Sequence, residues 1–228
     1  MGVIAVIDYG MGNLRSVQKA LQVVGAKARI TSKPEDLKRC EKIVFPGVGA
    51  FGDAMKELRR RKMIQPIKDA IAEGKPFLGL CLGLQLLFEN SDEAPGVKGL
   101  GLLKGEVKRF KLKRKDPSIP PFRRNLRMKF SYENFKVPHM GWNKIAYSVE
   151  RIAYSEKILK NVPSGSYMYF VHSYYVKPKD KSVILTTTDY GIKFVSGICK
   201  DNIYGFQFHP EKSQELGLKI LKNFVRLR

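Results

Sequence analysis

Gly79-Leu80-Cys81-Leu82-Gly83-Leu84-Gln85 is the stretch on which the reading of this chain turns. It closes one apolar run, Pro76–Leu80, and opens a second, Leu82–Glu89, read as strand and helix. A cysteine at such a junction sits on a sharp, strained turn, and small residues two positions to either side let neighbouring backbone pack close. The N–H groups at the start of the helix are unpaired and carry partial positive charge, which favours a thiolate and can stabilise an oxyanion. Cysteine is among the most often buried residue types, so a lone one defaults to the core. Cys40 and Cys199 lack a glycine frame and are read that way, whereas Cys81 is read as a nucleophile.

Working outward, short apolar runs alternate with amphipathic stretches through the first half. Strands are expected at Val3–Ile7, Ala28–Ile30, Lys42–Phe45 and Pro76–Leu80. Helices are expected from the turn Asp8–Asn13 to about Val24, and over 53–72. That alternation predicts an α/β fold, a mostly parallel central sheet with helices on both faces. In the second half, β-branched and aromatic runs at Tyr167–Val171, Val183–Thr188, Phe194–Ile198 and Ile203–Phe208 predict added antiparallel strands or a small side sheet. Leu216, Ile220, Leu221 and Phe224 are spaced for a packed helix over Ser213–Leu227. No internal repeat interrupts the 228 residues, which suit one domain.

A free thiol titrates near about 8.5, so Cys81 needs a base to be a thiolate at neutral pH. The chain has three histidines, His139, His172 and His209, and spacing alone does not select among them. His209-Pro210-Glu211 is the best candidate because it follows an apolar strand. In extended chain residues i and i+2 share a side, which would let Glu211 orient the imidazolium.

Composition narrows the setting. No run approaches the length of a membrane span, and the opening Met1–Asp8 reads as a first buried strand rather than a leader. Three widely spaced cysteines without a CxxC pair predict neither a disulfide framework nor zinc, and place the chain in a reducing cytoplasm. The net charge is +21, which raises nucleic acid, an acidic protein or a phosphorylated substrate as partners. Residues 104–136 hold 12 Lys and Arg against 3 Asp and Glu, so much of the charge is one basic patch. Its centre, 111–135, contains three prolines and no clean periodicity, and is read as a basic insertion or flap.

Gly79-x-Cys81-x-Gly83-x-Gln85 together with His209-Pro210-Glu211-Lys212-Ser213 resembles the class I (triad) glutamine amidotransferases. Within them, four further segments resemble the glutaminase subunits of imidazole glycerol phosphate synthases: Ile7-Asp8-Tyr9-Gly10-Met11-Gly12-Asn13-Leu14, Pro46-Gly47-Val48-Gly49-Ala50-Phe51, Pro138-His139-Met140-Gly141-Trp142-Asn143 and Tyr169-Phe170-Val171-His172-Ser173-Tyr174. The likeness spans nearly the whole chain. It implies the family fold and a single domain over 1–228. It implies Cys81 as nucleophile, His209 as general base and acid, and Glu211 as its orienter. The backbone N–H of Leu82 would be one oxyanion donor, with Val48 or Gly49 supplying the second after a peptide rearrangement. Gly49 and Gln85 would line the glutamine pocket, with Ser173 and Tyr174 on the other side. Asn13, Tyr169 and Lys212 would face a partner. His139 and His172 match motif positions without an assigned proton transfer.

The implied reaction is hydrolysis of glutamine to glutamate, with no cofactor or metal. The ammonia would pass, in a heterodimer, to a (β/α)8-barrel cyclase that makes imidazole glycerol phosphate and AICAR in histidine biosynthesis. Segment 111–135 departs from that pattern, which leaves as alternative an ammonia-supplying subunit for a sugar-amidating synthetase in surface polysaccharide biosynthesis. Nucleic acid is disfavoured as partner, because binding it would not require Cys81, His209 and Glu211 together.

Overall fold

The computed structural model describes residues 2–111, 135–147 and 157–227. The basic stretch 111–135 therefore lies, apart from its two end residues, outside the described residues.

Among the described residues, ten strands form one sheet and two form a second. The left half of the large sheet is parallel. β1 (Val3–Ile7) lies between β2 (Lys27–Thr31) and β3 (Lys42–Phe45), β3 pairs with β4 (Phe77–Leu80), and β4 pairs in turn with β12 (Ile203–Phe206). Beyond β12 the sheet turns antiparallel through β11 (Lys193–Lys200), which also carries β10 (Ile184–Asp189), then β9 (Tyr174–Pro178) and β6 (Gly105–Arg109). The two-residue β5 (Asn90–Ser91) closes that edge parallel to β6. The small sheet is an antiparallel ribbon of β7 (His139–Lys144) and β8 (Tyr167–His172). The second half thus contains both antiparallel additions and a side sheet.

Alternation along each strand sends side chains to two cores. Ala5 and Ile7 of β1 join one cluster with Leu37 of α2 (Pro34–Arg39), Phe51 and Leu58 of α3 (Phe51–Arg60) and Ile67 of α4 (Ile64–Ala72). Ile4 and Val6 join the other, with Val17 and Leu21 of α1 (Leu14–Val23) and Ile220, Leu221 and Phe224 of the final helix α6 (Gln214–Arg226), which follows the short α5 (Leu82–Gln85).

Two expected helices come out differently. The 53–72 stretch is two helices, broken where Lys62 takes a left-handed φ of 54°. Pro66 explains the break: it has no N–H to donate and suits the first turn of a new helix rather than the middle of a long one. The helix after Cys81 ends at Gln85 rather than Glu89. The following chain takes the carbonyls that follow it, with Leu100, Leu103 and Gly99 N–H groups donating to Leu86, Leu87 and Glu89.

Candidate active site

Three parallel strands deliver their C-terminal ends side by side. Gly79 of β4 is level with Phe45 of β3 and Gly205 of β12. The chain leaving β4 is therefore Cys81, flanked by Pro46–Gly49 leaving β3 and Gln207–Glu211 leaving β12. The crevice beyond the carboxyl ends of parallel strands is where such sheets bind ligands.

The turn at Cys81 is tight. Its φ is +52° and ψ −107°, a conformation that side-chain-bearing residues rarely hold. The flanking glycines permit it by close approach: a Cβ on Gly83 would lie 1.9 Å from the Phe45 carbonyl oxygen, and one on Gly79 2.7 Å from that of Gly83. β3 therefore packs directly on the elbow. Cys81 is buried, with its sulfur 3.8 Å from the Val171 carbonyl of β8. The other two thiols differ in setting: burial pushes Cys40 up and, with Asp201 nearby, Cys199 to about 12.

His209 and Glu211 meet at 2.8 Å, imidazole Nδ1 to carboxylate Oε1, with both side chains almost wholly buried. Their contact does not come from extended chain, because Pro210–Lys212 is a 3-10 turn that folds Glu211 back beneath the ring. Among the described residues, Nε2 of His209 has no hydrogen-bond partner of ordinary geometry. Burial opposes charge on this ring, but the Cys81 sulfur and the Glu211 carboxylate outweigh it and raise the pKa to about 10. An imidazolium held between a sulfur and a carboxylate is the electrostatic arrangement of an activated cysteine nucleophile. Backbone bonds clamp the pair: His209 N–H donates to Tyr169 O, and the Ser213 hydroxyl donates to His209 O while accepting from Tyr169 N–H.

The Leu82 N–H donates to Gly47 O at 3.4 Å, so the Gly47 carbonyl occupies that donor. Turning the Gly47–Val48 peptide over would replace this oxygen by the Val48 N–H. Val48 and Gly49 are exposed beside the elbow, with Met11 packed close to Gly49 and the Tyr9 hydroxyl donating to Val48 O at 3.4 Å. Gln85 sits deeper than a pocket wall: its amide nitrogen donates to Tyr174 O (3.2 Å) and Gln207 Oε1 (3.1 Å). Ser173 and Tyr174 are half-buried where β8 passes into β9.

Gln207 is a residue that sequence reasoning missed. It is fully buried, and its Nε2 reaches the Cys81 sulfur at 3.5 Å. The available signal was its position two residues before His209, in the same run that leads out of a strand.

On the outer side, Met140, Trp142 and Tyr167 of the β7–β8 ribbon are exposed. Trp142 meets Tyr169 edge-on at 6.0 Å, and the Lys212 ammonium lies 5.7 Å from the Tyr169 ring centre. Asn13 is also exposed, and its side-chain oxygen caps α1 by accepting from Ser16 N–H. Among the described residues no group of three or more His, Cys, Asp or Glu is placed to hold a metal ion, and no helix is long and apolar enough to cross a membrane.

Comparison with known proteins agrees with this geometry. Residues 5–227 match the family described as glutamine amidotransferase class-I. The imidazole glycerol phosphate synthase subunit HisH of Aquifex aeolicus is 49% identical over 97% of this chain and 95% of its own length. The subunit of the same name from Geobacter metallireducens is 46% identical, over 99% and 98%. Among solved structures, a glutamine amidotransferase superposes with a TM-score of 0.70 at 16% identity, covering 99% of this chain and all of the other. A chain of PurLQS from Thermotoga maritima gives 0.68 at 19%, covering 98% of each. These two speak to the fold.

Proposed function

This chain belongs to the class I glutamine amidotransferases, and from that premise we propose that it is the glutaminase subunit of an imidazole glycerol phosphate synthase in histidine biosynthesis. It hydrolyses glutamine to glutamate and hands the ammonia to a cyclase subunit. The observation that carries the chemistry is the buried His209–Glu211 pair, charged by the Cys81 sulfur at the strained turn.

Cys81 attacks the amide carbon of glutamine as thiolate. The His209 imidazolium gives a proton to the departing nitrogen, Glu211 holding the ring's orientation and charge throughout. Water, deprotonated by His209, then releases glutamate from the thioester. The Leu82 N–H supports the oxyanion once the Gly47 carbonyl has swung away, and the Val48–Gly49 strand supplies the second donor. A missing donor costs about 10²–10³ in rate, so the resting orientation keeps the glutaminase nearly idle until a partner docks. Gly49, Gln85, Ser173 and Tyr174 shape the glutamine pocket, Gln85 doing so from behind through the Tyr174 carbonyl.

Free ammonia in neutral water is mostly protonated and not nucleophilic, so the product must travel enclosed. We assign the outer face of exposed Met140, Trp142 and Lys212 and half-buried Tyr169, with Asn13, to the docking of a (β/α)8-barrel cyclase in a cytoplasmic heterodimer. The near-full-length likeness to the HisH relatives supports a cyclase over a sugar-amidating synthetase as acceptor.

The test is glutamine turnover with the cyclase present. Cys81→Ala is expected to lower glutamate release by about 10⁴-fold or more, and a glutamine-like diazo ketone to label Cys81 alone. Labelling at Cys40 or Cys199 would overturn the assignment.

A further inference from the structure

Asn143, His139 and His172 are polar groups behind the site that the reaction above leaves unused. His139 and His172 face each other across the β7–β8 ribbon. Both are buried, His139 stacked between Phe170 and Tyr190, and His172 against Phe110 and Phe194. A lone polar pair in an aromatic cage costs stability unless every donor meets an acceptor.

Here each does, and only one way round. Asn143 Oδ1 accepts from Lys144 N–H (2.7 Å) and its Nδ2 donates to Asp189 O (2.8 Å), which fixes the amide orientation. The same Nδ2 faces His139 Nε2 at 3.3 Å, so that ring nitrogen must accept. His139 then carries its proton on Nδ1 and donates to His172 Nε2 at 3.0 Å. His172 in turn carries its proton on Nδ1 and donates to Tyr174 O at 2.8 Å, an atom that can only accept. Both ends dictate the same direction. Protonating His139 would set its Nε2–H against the Asn143 NH₂, and protonating His172 would set its Nε2–H against His139 Nδ1–H. Burial lowers both pKa values, His139 to about 4 and His172 to about 3, the neighbouring His139 and His209 charges adding to the effect at His172.

The line does not stop at Tyr174. That carbonyl also receives Gln85 Nε2, which donates as well to Gln207 Oε1, and Gln207 Nε2 reaches the Cys81 sulfur. We propose that Asn143, His139 and His172 are positioning residues, a one-directional hydrogen-bond relay that sets the Tyr174 carbonyl and, through Gln85 and Gln207, the Cys81 sulfur for glutamine hydrolysis. The proposal rests on the glutaminase reading given above and adds a mechanical link to it. The exposed Trp142 lies between Gly141 and Asn143 on β7, and Tyr169 and Val171 on β8 touch His209 and Cys81 through their carbonyls. A partner that presses on the outer face of the ribbon moves the strand whose inner face starts the relay.

Three histidines make the test legible by NMR. In protein labelled with ¹⁵N-histidine, two-bond ¹H–¹⁵N spectra are expected to show His139 and His172 as Nδ1–H tautomers, unchanged from pH 8 to pH 6. An Nε2–H tautomer at either ring would overturn the relay whatever the variants do. With the cyclase bound, His139→Leu is expected to lower kcat/KM for glutamine about 30- to 100-fold, the scale of a small misplacement at a reacting centre. His139→Asn places an amide N–H where Nδ1 stands and is expected to restore the rate to within about threefold of the unsubstituted chain. Equal rates in the two variants, high or low, would sink the relay. The glutaminase reading itself would fail separately, by glutamate release that survives Cys81→Ala.

Discussion

Acid should destabilise this protein earlier than its carboxylates require. His139 and His172 take up protons at an ordinary imidazole pKa when unfolded but, folded, only near about 4 and 3. A group whose folded pKa is lowered contributes stability above its unfolded pKa and loses it as pH falls toward the folded value. The loss therefore starts near pH 6.5 and runs down to pH 3–4. Two pH units into that window, at pH 4.5, each ring costs roughly 2–3 kcal/mol and the pair about 5 kcal/mol. That is comparable to the whole stability of many domains, about 5–15 kcal/mol. His209 has the opposite sign: its pKa is raised, so its contribution is complete below pH 6.5 and is lost only as pH rises toward about 10. It is flat from pH 6.5 down to pH 4.5 and lowers the stability only at the pH 8 point, opposite in sign to the effect of the two buried rings. Glu57, Glu89 and Asp92, whose pKa values are lowered by hydrogen-bonded or charged neighbours, are near the surface and titrate below it. Urea unfolding at pH 8, 6.5, 5.5 and 4.5, followed by far-UV circular dichroism, gives the free energy at each pH. The expected profile falls by about 5 kcal/mol from pH 6.5 to 4.5, and His139→Asn is expected to reduce the fall by roughly half. A change under about 1 kcal/mol would show that the two rings accept protons freely, and that their hydrogen bonds do not run in the direction assigned.

Two substitutions probe the reacting groups. A Cβ at Gly47 would lie 2.5 Å from Leu82 Cβ and 2.6 Å from Gly83 N, at an elbow whose backbone has no room to yield. Gly47→Ala is therefore expected to displace the oxyanion strand and lower glutamine hydrolysis about 10²–10³-fold, while alkylation of Cys81 by iodoacetamide, which needs no oxyanion donor, stays within about threefold. Equal losses in both assays would mean instead that the elbow had collapsed. Glu211→Gln keeps an oxygen at Nδ1 but removes the charge that helps hold His209 near a pKa of about 10. The alkaline limb of glutaminase activity should move to lower pH and kcat fall about 10–100-fold; an unshifted limb would mean that Glu211 only anchors the 3-10 turn.

The parallel half of the fold was legible because its strands are buried on both faces and read as unbroken apolar runs. Val3–Ile7 and Lys42–Phe45 fall where expected. The elbow was legible for a different reason, since Gly79 and Gly83 are demanded by backbone contact rather than by periodicity. What the sequence concealed was set by distant partners. The partner of the expected Tyr167–Val171 strand, β7, alternates exposed Met140 and Trp142 with buried His139 and half-buried Asn143, and histidine and asparagine carry no strand signal. Gln207, inside the expected strand Ile203–Phe208, carried no signal of its own, because the groups it meets, Gln85 and Cys81, come from 122 and 126 residues away. The Glu211 contact was anticipated, but through the wrong local geometry, because Pro210 turns the chain where extension had been assumed.

A consequence of the proposed docking face is that docking and catalysis would share one two-stranded element. Its outer face carries Trp142 and Tyr169, its backbone accepts from His209 N–H and lies against the Cys81 sulfur, and its inner face holds the neutral histidines. A two-stranded ribbon is weak alone, and its register depends on what packs on each face. The buried relay and the aromatic cage fix the inner face in the free chain, leaving the outer face as the side a partner can still tighten. Because Tyr169 offers its carbonyl to His209 while its ring lies under Lys212, a displacement at the surface reaches His209 through one residue rather than through a long path. Coupling of that kind needs the ribbon to move as a body. A polar relay with a single allowed direction serves this purpose better than apolar packing, since sliding one strand by a residue would break every one of its hydrogen bonds at once.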